Sequence, residues 1–147
     1  MRIYTIGYRS RSAEEFFSTL RENGIRQLVD VRAYPDAEEA VYARASGLPF
    51  LLQQRAPQTR YWHCGPLSPT TRLVDDYFAE NRIGWQAYEE GYVRLIQERK
   101  VESVLKPEQF AEPACLLCAE HDPERCQRRL ALEYLKDHWP DLEIVHL

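Results

Sequence analysis

Apolar residues recur along this chain with two different periods, and the alternation between them lays out a fold. Residues 2–7 open with Ile3-Tyr4-Thr5-Ile6 and stop at Gly7, which reads as a strand. In residues 12–23 Phe16, Phe17 and Leu20 share a face, Ser12 with Glu15 makes a capping box, and Gly24 suits the left-handed stop of a helix. Residues 27–32 are nearly all apolar through Leu28-Val29-Asp30-Val31, as parallel strands buried on both faces are. Two helical stretches, 37–45 and 49–55, are split by Gly47 and Pro49, and residues 61–64 form a short third strand before a loop marked by Pro66 and Pro69. Leu73, Val74, Tyr77 and Phe78 mark one helix. Trp85, Tyr88, Tyr92, Leu95 and Ile96 mark a longer one, whose aromatic stripe reads as core. Residues 105–113 read as a loop, 114–119 as the fourth strand, 123–138 as a helix opened by Asp122-Pro123, and 142–146 as the last strand.

Strands alternating with helices predict a parallel sheet with right-handed crossovers. The expected architecture is one three-layer, Rossmann-like α/β domain over residues 1–147. Its mostly parallel five-stranded sheet has the order 3-2-1-4-5, with helices on both faces. The order then reverses between strands 1 and 4, and ligands in such sheets sit beyond the carboxyl ends of the strands at that reversal. Chargeable residues gather at those ends: Gly7-Tyr8-Arg9-Ser10, Asp30-Val31-Arg32, His63-Cys64 and Cys118-Ala119-Glu120.

Composition narrows the function classes. The 147 residues are 44% hydrophobic and 29% charged, ordinary for a globular protein with a real core. A net charge of −4 argues against bulk nucleic-acid binding, which needs a basic face, while leaving room for a local basic pocket. No apolar stretch approaches the roughly 20 residues that span a bilayer, and Met1-Arg2 leads straight into a strand, so the expected setting is cytoplasmic with no membrane partner. Four cysteines in that setting are expected to be free thiols.

The richest stretch is 115–129, Cys115-Leu-Leu-Cys118-Ala-Glu120-His121-Asp122-Pro123-Glu124-Arg125-Cys126-Gln127-Arg128-Arg129, a strand emptying reactive side chains onto a helix start. On the helix from Pro123, Leu130, Ala131, Leu132, Tyr134 and Leu135 form an inward arc that also takes in Gln127 and Arg128. With the helix N-terminus, Arg128 and Arg32 make an anion site; the competing reading pairs Arg128 with Asp30 or Glu120 to hold the fold. Asp30 and Arg32 share a strand face, and Asp30 reads as the structural member. Glu120 is a candidate general acid/base. Cys126, near a helix start, is either an activated thiol or a small buried hydrophobe. His121 lies within the same loop, His63 ends the third strand, Gly7 lets backbone approach a ligand or makes a tight turn, and Tyr8 and Ser10 follow it. Cys115 and Cys118 point to opposite strand faces, so a shared zinc is not expected. No Walker loop, dinucleotide glycine fingerprint or cysteine-phosphatase spacing is present.

Thr5-Ile6-Gly7 with Ser10, Val29-Asp30-Val31-Arg32 with Pro35, Tyr61 with His63, Leu117-Cys118-Ala119-Glu120, Cys126 with Arg128, and Val145-His146 resemble, in order, a bacterial and archaeal family catalogued as domain of unknown function 488. The chain departs from that pattern at Tyr8, where members often carry histidine, at Gln127 within Cys126-Gln127-Arg128, and at Gly65-Pro66-Leu67-Ser68 in place of a Leu-Gly-Gly turn. The resemblance implies a fold and a site but no reaction.

The expected function is an enzyme-like pocket for a small anionic ligand, a nucleotide or nucleoside phosphate, with hydrolysis or group transfer as the reaction and no cofactor identified. Glu120, Cys126 and His121 are the catalytic candidates. Gly7, Tyr8, Ser10, Asp30, Arg32, His63, Cys118 and Arg128 are the ligand-binding candidates. Two other classes stand beside it: a non-catalytic module binding a nucleotide, nucleic-acid end or protein, and a thiol redox protein built on Cys118 and Cys126.

Overall fold

The computed structural model describes residues 1–36, 40–78 and 82–147. Among these residues five strands, β1 (Arg2–Gly7), β2 (Gln27–Asp30), β3 (Arg60–His63), β4 (Ala114–Cys118) and β5 (Glu143–His146), form one sheet in which every pairing is parallel. Among the described residues six α-helices connect them: α1 (Ala13–Glu22), α2 (Leu48–Arg55), α3 (Thr71–Phe78), α4 (Trp85–Glu98), α5 (Val101–Val104) and α6 (Gln127–His138). No helix among the described residues is long and apolar enough to cross a membrane.

Local chemistry accounts for most element ends. The Ser12 hydroxyl accepts from the Glu15 N–H at 3.1 Å, the Glu15 carboxylate accepts from the Ser12 N–H at 3.4 Å, and Gly24 takes a φ of 64° where α1 stops. The helix expected over 37–45 lies partly outside the described residues. Within them it is a single 3-10 turn, Val41–Ala43, closed by the Ala43 N–H on Ala40. The stretch expected to be a loop over 105–113 contains another 3-10 turn, Pro107–Phe110, and α5 precedes it.

The alternation of side chains along each strand divides the interior into two layers. Ile6, Leu28, Cys115 and Leu117 face α1 and α2, packing with Phe16, Phe17, Leu20, Leu48 and Leu52. Ile3, Val29, Leu116 and Cys118 face the other helices, packing with Tyr92, Ile96, Val101 and the inward arc of α6. This is the expected three-layer α/β architecture.

The strand order is β3-β2-β4-β1-β5, so β4 and β1 exchange the places expected of them. Burial explains the exchange. All five residues of Ala114-Cys115-Leu116-Leu117-Cys118 are buried, whereas β1 begins with the exposed Arg2 and the partly exposed Tyr4. The strand apolar on both faces takes the centre. The reversal nevertheless stays between β1 and β4, since β1 leads through α1 toward β2 while β4 leads through α6 toward β5.

Past their last paired residues the two strands stay in contact. The Tyr8 and Arg9 N–H groups donate to the carbonyls of Cys118 and Ala119 at 3.3 and 3.0 Å. A Cβ on Gly7 would stand 1.6 Å from the Glu120 carbonyl oxygen, so the glycine serves the approach of two chain segments rather than of a ligand. Gly7→Ala is therefore expected to cost at least about 3 kcal/mol in urea unfolding. Gly65→Ala, whose Cβ would meet nothing within 4 Å, is expected to change stability by less than about 0.5 kcal/mol.

Candidate functional site

A cavity of about 210 Å³ lies beyond the carboxyl ends of the central strands. The strand ends contribute Cys118, Ala119 and Glu120 after β4, Arg9 after β1, and Arg32, Ala33 and Tyr34 after β2. Helices α3 and α4 contribute Val74, Tyr77, Phe78, Trp85 and Tyr88, while Arg125 and Gln127 enter from the start of α6. Among the described residues three arginines and one carboxylate line it, in a protein whose net charge is −4.

The aromatic side is a cluster of rings in mutual contact. Tyr88 lies 4.8 Å from Tyr77 and 5.4 Å from Trp85 between centroids, at shallow interplanar angles of 33° and 30°. Their origin is the break between α3 and α4 at Gly84, which brings Tyr77 at the end of one helix against Trp85 and Tyr88 at the start of the next. Of the stripe expected to be core, Tyr88 and Tyr92 are core, and Trp85 and Tyr88 also line the cavity. Beneath them the Gln127 carboxamide ties three elements together. Its oxygen accepts from the Tyr88 hydroxyl at 3.2 Å and its nitrogen donates to the Val31 carbonyl at 3.4 Å.

The arginines divide into those fixed by the protein and those facing the cavity. Arg128 is fully buried and does not line the cavity. Its Nη1 donates to the Glu120 carbonyl, Nη2 to the His121 carbonyl at 2.9 Å, and Nε to the Thr5 hydroxyl at 3.2 Å. Neither the expected carboxylate partner nor a ligand site is found there; the side chain holds the chain leaving β4. Arg32 is 2% exposed, and its Nε and Nη2 grip the two Asp30 carboxylate oxygens at 2.9 and 2.7 Å. Asp30 also accepts from the Tyr61 hydroxyl at 2.7 Å, which makes it the structural member of the pair. Arg32 reaches the cavity edge with its guanidinium 5.7 Å from the Tyr8 ring centroid. Arg9 and Arg125 line the cavity directly, and Arg9 Nη1 donates to Glu120 Oε1.

The loop before α6 corrects another expectation. The helix starts at Gln127 rather than at Pro123, with Cys126 extended as its N-cap. Asp122 accepts from the Glu124 N–H at 2.9 Å, a local turn that competes with helix. Arg129 from α6 donates to the Glu124 carbonyl at 3.1 and 2.8 Å. Residues 119–126 are thus a shaped loop that carries Glu120 and Arg125 to the cavity.

Other expected residues fall outside it. Gly7 is occupied by the Glu120 carbonyl, Tyr8 is buried on the α1 side, and Ser10 sits at a positive φ of 61° on the surface turn. His63 faces the Arg32 carbonyl at 2.9 Å, so Nε2 carries its proton, and Ser68 lies at 3.0 Å. His121 is exposed and enters only through its carbonyl. Of the expected site, Glu120, Cys118 and Arg32 line the cavity; Asp30, Arg128 and Cys126 support it from behind. Arg9, Arg125 and the rings were missed. The first two stand within the stretches singled out at the strand ends, and the rings carry an i, i+3 signal shared with ordinary core.

Cys118, which lines the cavity, and Cys126 behind it are free, buried and in contact. Its hydrogen bond with Cys126, together with burial, holds the Cys118 thiol well above its ordinary value. Burial pushes Cys126 up as well, but the hydrogen bond from Cys118 and the Arg128 guanidinium outweigh it and bring that thiol below its ordinary value. Cys115 packs on the opposite face, as expected. Among the described residues no three His, Cys, Asp or Glu side chains cluster as a metal requires.

Two outcomes follow for stability. Arg128→Ala strands two carbonyls and a hydroxyl and is expected to cost roughly 3–5 kcal/mol in urea unfolding, against less than about 1 kcal/mol for Arg9→Ala. The second concerns His146, whose Nδ1 lies 2.6 Å from the Thr5 hydroxyl. Burial, with Arg128 nearby, holds the ring below its ordinary 6.5. The fold favours neutral imidazole, so this contribution is fully present above pH 6.5 and is lost as pH falls from there toward the folded-state value. Unfolding curves across that range are expected to show the loss in wild type and its absence in His146→Gln.

No curated protein and no solved structure matches the chain. A family model does match, over residues 12–135, from the α1 capping box to the inward arc of α6. The chain belongs to the family described as Domain of unknown function DUF488.

Proposed function

We propose that the cavity binds a small anionic ligand bearing a flat ring, a nucleotide or nucleoside phosphate, and that the protein is a hydrolase or group transferase acting on it. One observation carries this reading: Arg9, Arg32 and Arg125 share a single cavity with the Tyr77, Trp85 and Tyr88 rings. Guanidinium groups match phosphate oxygens in fork geometry, and stacked aromatic side chains take the face of a base. The site lies where open parallel sheets bind ligands, at the reversal of strand order.

Glu120 is the side chain placed for general acid/base work, being the one carboxylate lining the cavity among the described residues. Cys118 forms floor, with Cys126 behind it. A second reading, thiol chemistry, draws on the contact between those two cysteines; it ranks lower because both are buried. A cytoplasmic setting goes with either reading, since reducing compartments keep thiols free and all four cysteines are free.

A thermal-shift screen of nucleotides, nucleosides, sugar phosphates and simple anions tests the first reading. Nucleotides are expected to stabilise wild type most, by about 2.7 kcal/mol at one hundred times Kd. Trp85→Leu is expected to remove the preference for ring-bearing ligands while leaving simple anions bound. With a turned-over ligand in hand, Glu120→Gln is expected to lower kcat by roughly 10²–10⁴ while binding persists. A flat response of wild type to the whole panel would rule the reading out.

A further inference from the structure

The pairing of Arg9 with Glu120 has a consequence for any anion entering the cavity, and it rests on the anion reading above. Of the two carboxylate-paired arginines at the cavity, Arg32 is locked: its partner Asp30 is fully buried, grips it through both oxygens and is itself held by Tyr61. Removing an anion from such a pair leaves a buried charge, so that pair does not open readily. The Arg9–Glu120 pair differs in kind. Its side chains are 41% and 36% exposed, both line the cavity, and water screens their attraction until it is worth little. A doubly charged tetrahedral anion offers Arg9 a better fork partner than one carboxylate oxygen does.

We infer that an incoming anion takes Arg9 from Glu120, and that the released carboxylate takes up a proton from solvent. The exchange leaves Glu120 without its cation and beside a new negative charge, and both changes disfavour the ionised form. The groups facing it do not cancel this. Arg32 remains committed to Asp30, and Arg128 is tied to main-chain carbonyls, one of them that of Glu120 itself. Arg125, from the same loop, is drawn to the anion as Arg9 is. Tyr77 and Tyr88, from α3 and α4, bring rings and hydroxyls, and His121 is exposed to solvent. Anion binding thereby arms Glu120 as a general acid: the ligand's own charge sets the protonation state that a leaving group needs. Arg9 is then both a ligand-binding residue and the residue that controls Glu120.

Sulfate separates this from simple anion binding, because it carries two charges and does not titrate near neutrality. Calorimetric titrations of sulfate at about pH 6, above the ordinary glutamate value, in buffers of different ionisation enthalpy, count the protons taken up. Uptake is expected in wild type and absent in Glu120→Gln, which keeps every histidine. Glu120→Gln is also expected to bind sulfate several-fold more tightly, and Arg9→Met roughly tenfold more weakly with less uptake than wild type, both variants retaining wild-type circular dichroism. Sulfate binding with no Glu120-dependent uptake, or with affinity unchanged in Arg9→Met, overturns the exchange and leaves the anion pocket standing. No sulfate binding at all overturns the exchange too; if nucleotides and sugar phosphates are also without effect on melting, the pocket falls with it.

Discussion

A guanidinium with no exposure, held by two main-chain carbonyls and a threonine hydroxyl, fixes the end of β4, and the site takes its shape from that clamp. A buried charge left unpaired is costly, so Arg128 imposes a demand: the chain after Cys118 must turn so that consecutive carbonyls point inward. Glu120 and His121 meet it, and their side chains are thereby directed elsewhere, Glu120 into the cavity and His121 to solvent. The same clamp reaches the sheet edge, because Thr5 serves Arg128 on one side and His146 of β5 on the other.

That constraint separates two uses of the same residue type. Arg128 and Arg32 spend their hydrogen bonds on the protein and set where chain segments lie. Arg9 and Arg125 stand on turns after the strands, where the half-exposed Arg9–Glu120 pair shows how loosely such side chains are held. Fixed charges thus lie behind the cavity and more exposed charges at its lining.

Fold class was legible because local signals agreed with global ones. The Ser12–Glu15 capping box, the left-handed Gly24 and the apolar β4 each appear in the structure as the chain implies. The centre of the strand order was not legible, since β1 and β4 are both apolar parallel strands and only their relative burial decides which lies inside. The density of chargeable residues at the end of β4 marks the edge of a cavity, but Arg128, expected to face an anion, is tied to main-chain carbonyls instead. Helical periodicity correctly turned Arg128 inward, but it says nothing of what the side chain meets, and main-chain acceptors leave no mark in sequence. The aromatic side was hidden for a similar reason: Trp85 and Tyr88 share the spacing of Tyr92, and only the placement of α3 against α4 makes the first two a cavity wall as well.

The position of β4 also bears on how the chain is assembled as it is made. β1 and β2 are separated by one strand position, and the segment that fills it, Ala114–Cys118, lies more than eighty residues beyond β2. An amino-terminal stretch through β3 can pair β2 with β3 but leaves β1 with no neighbour, because its partners are β4 and β5. The emerging polypeptide therefore carries an open slot about two strand spacings wide, roughly 9–10 Å, flanked by unsatisfied N–H and C=O groups until β4 arrives. Closing it is a late, long-range event of the kind that slows folding. Until then the open edges of β1 and β2 are templates on which a foreign strand could pair.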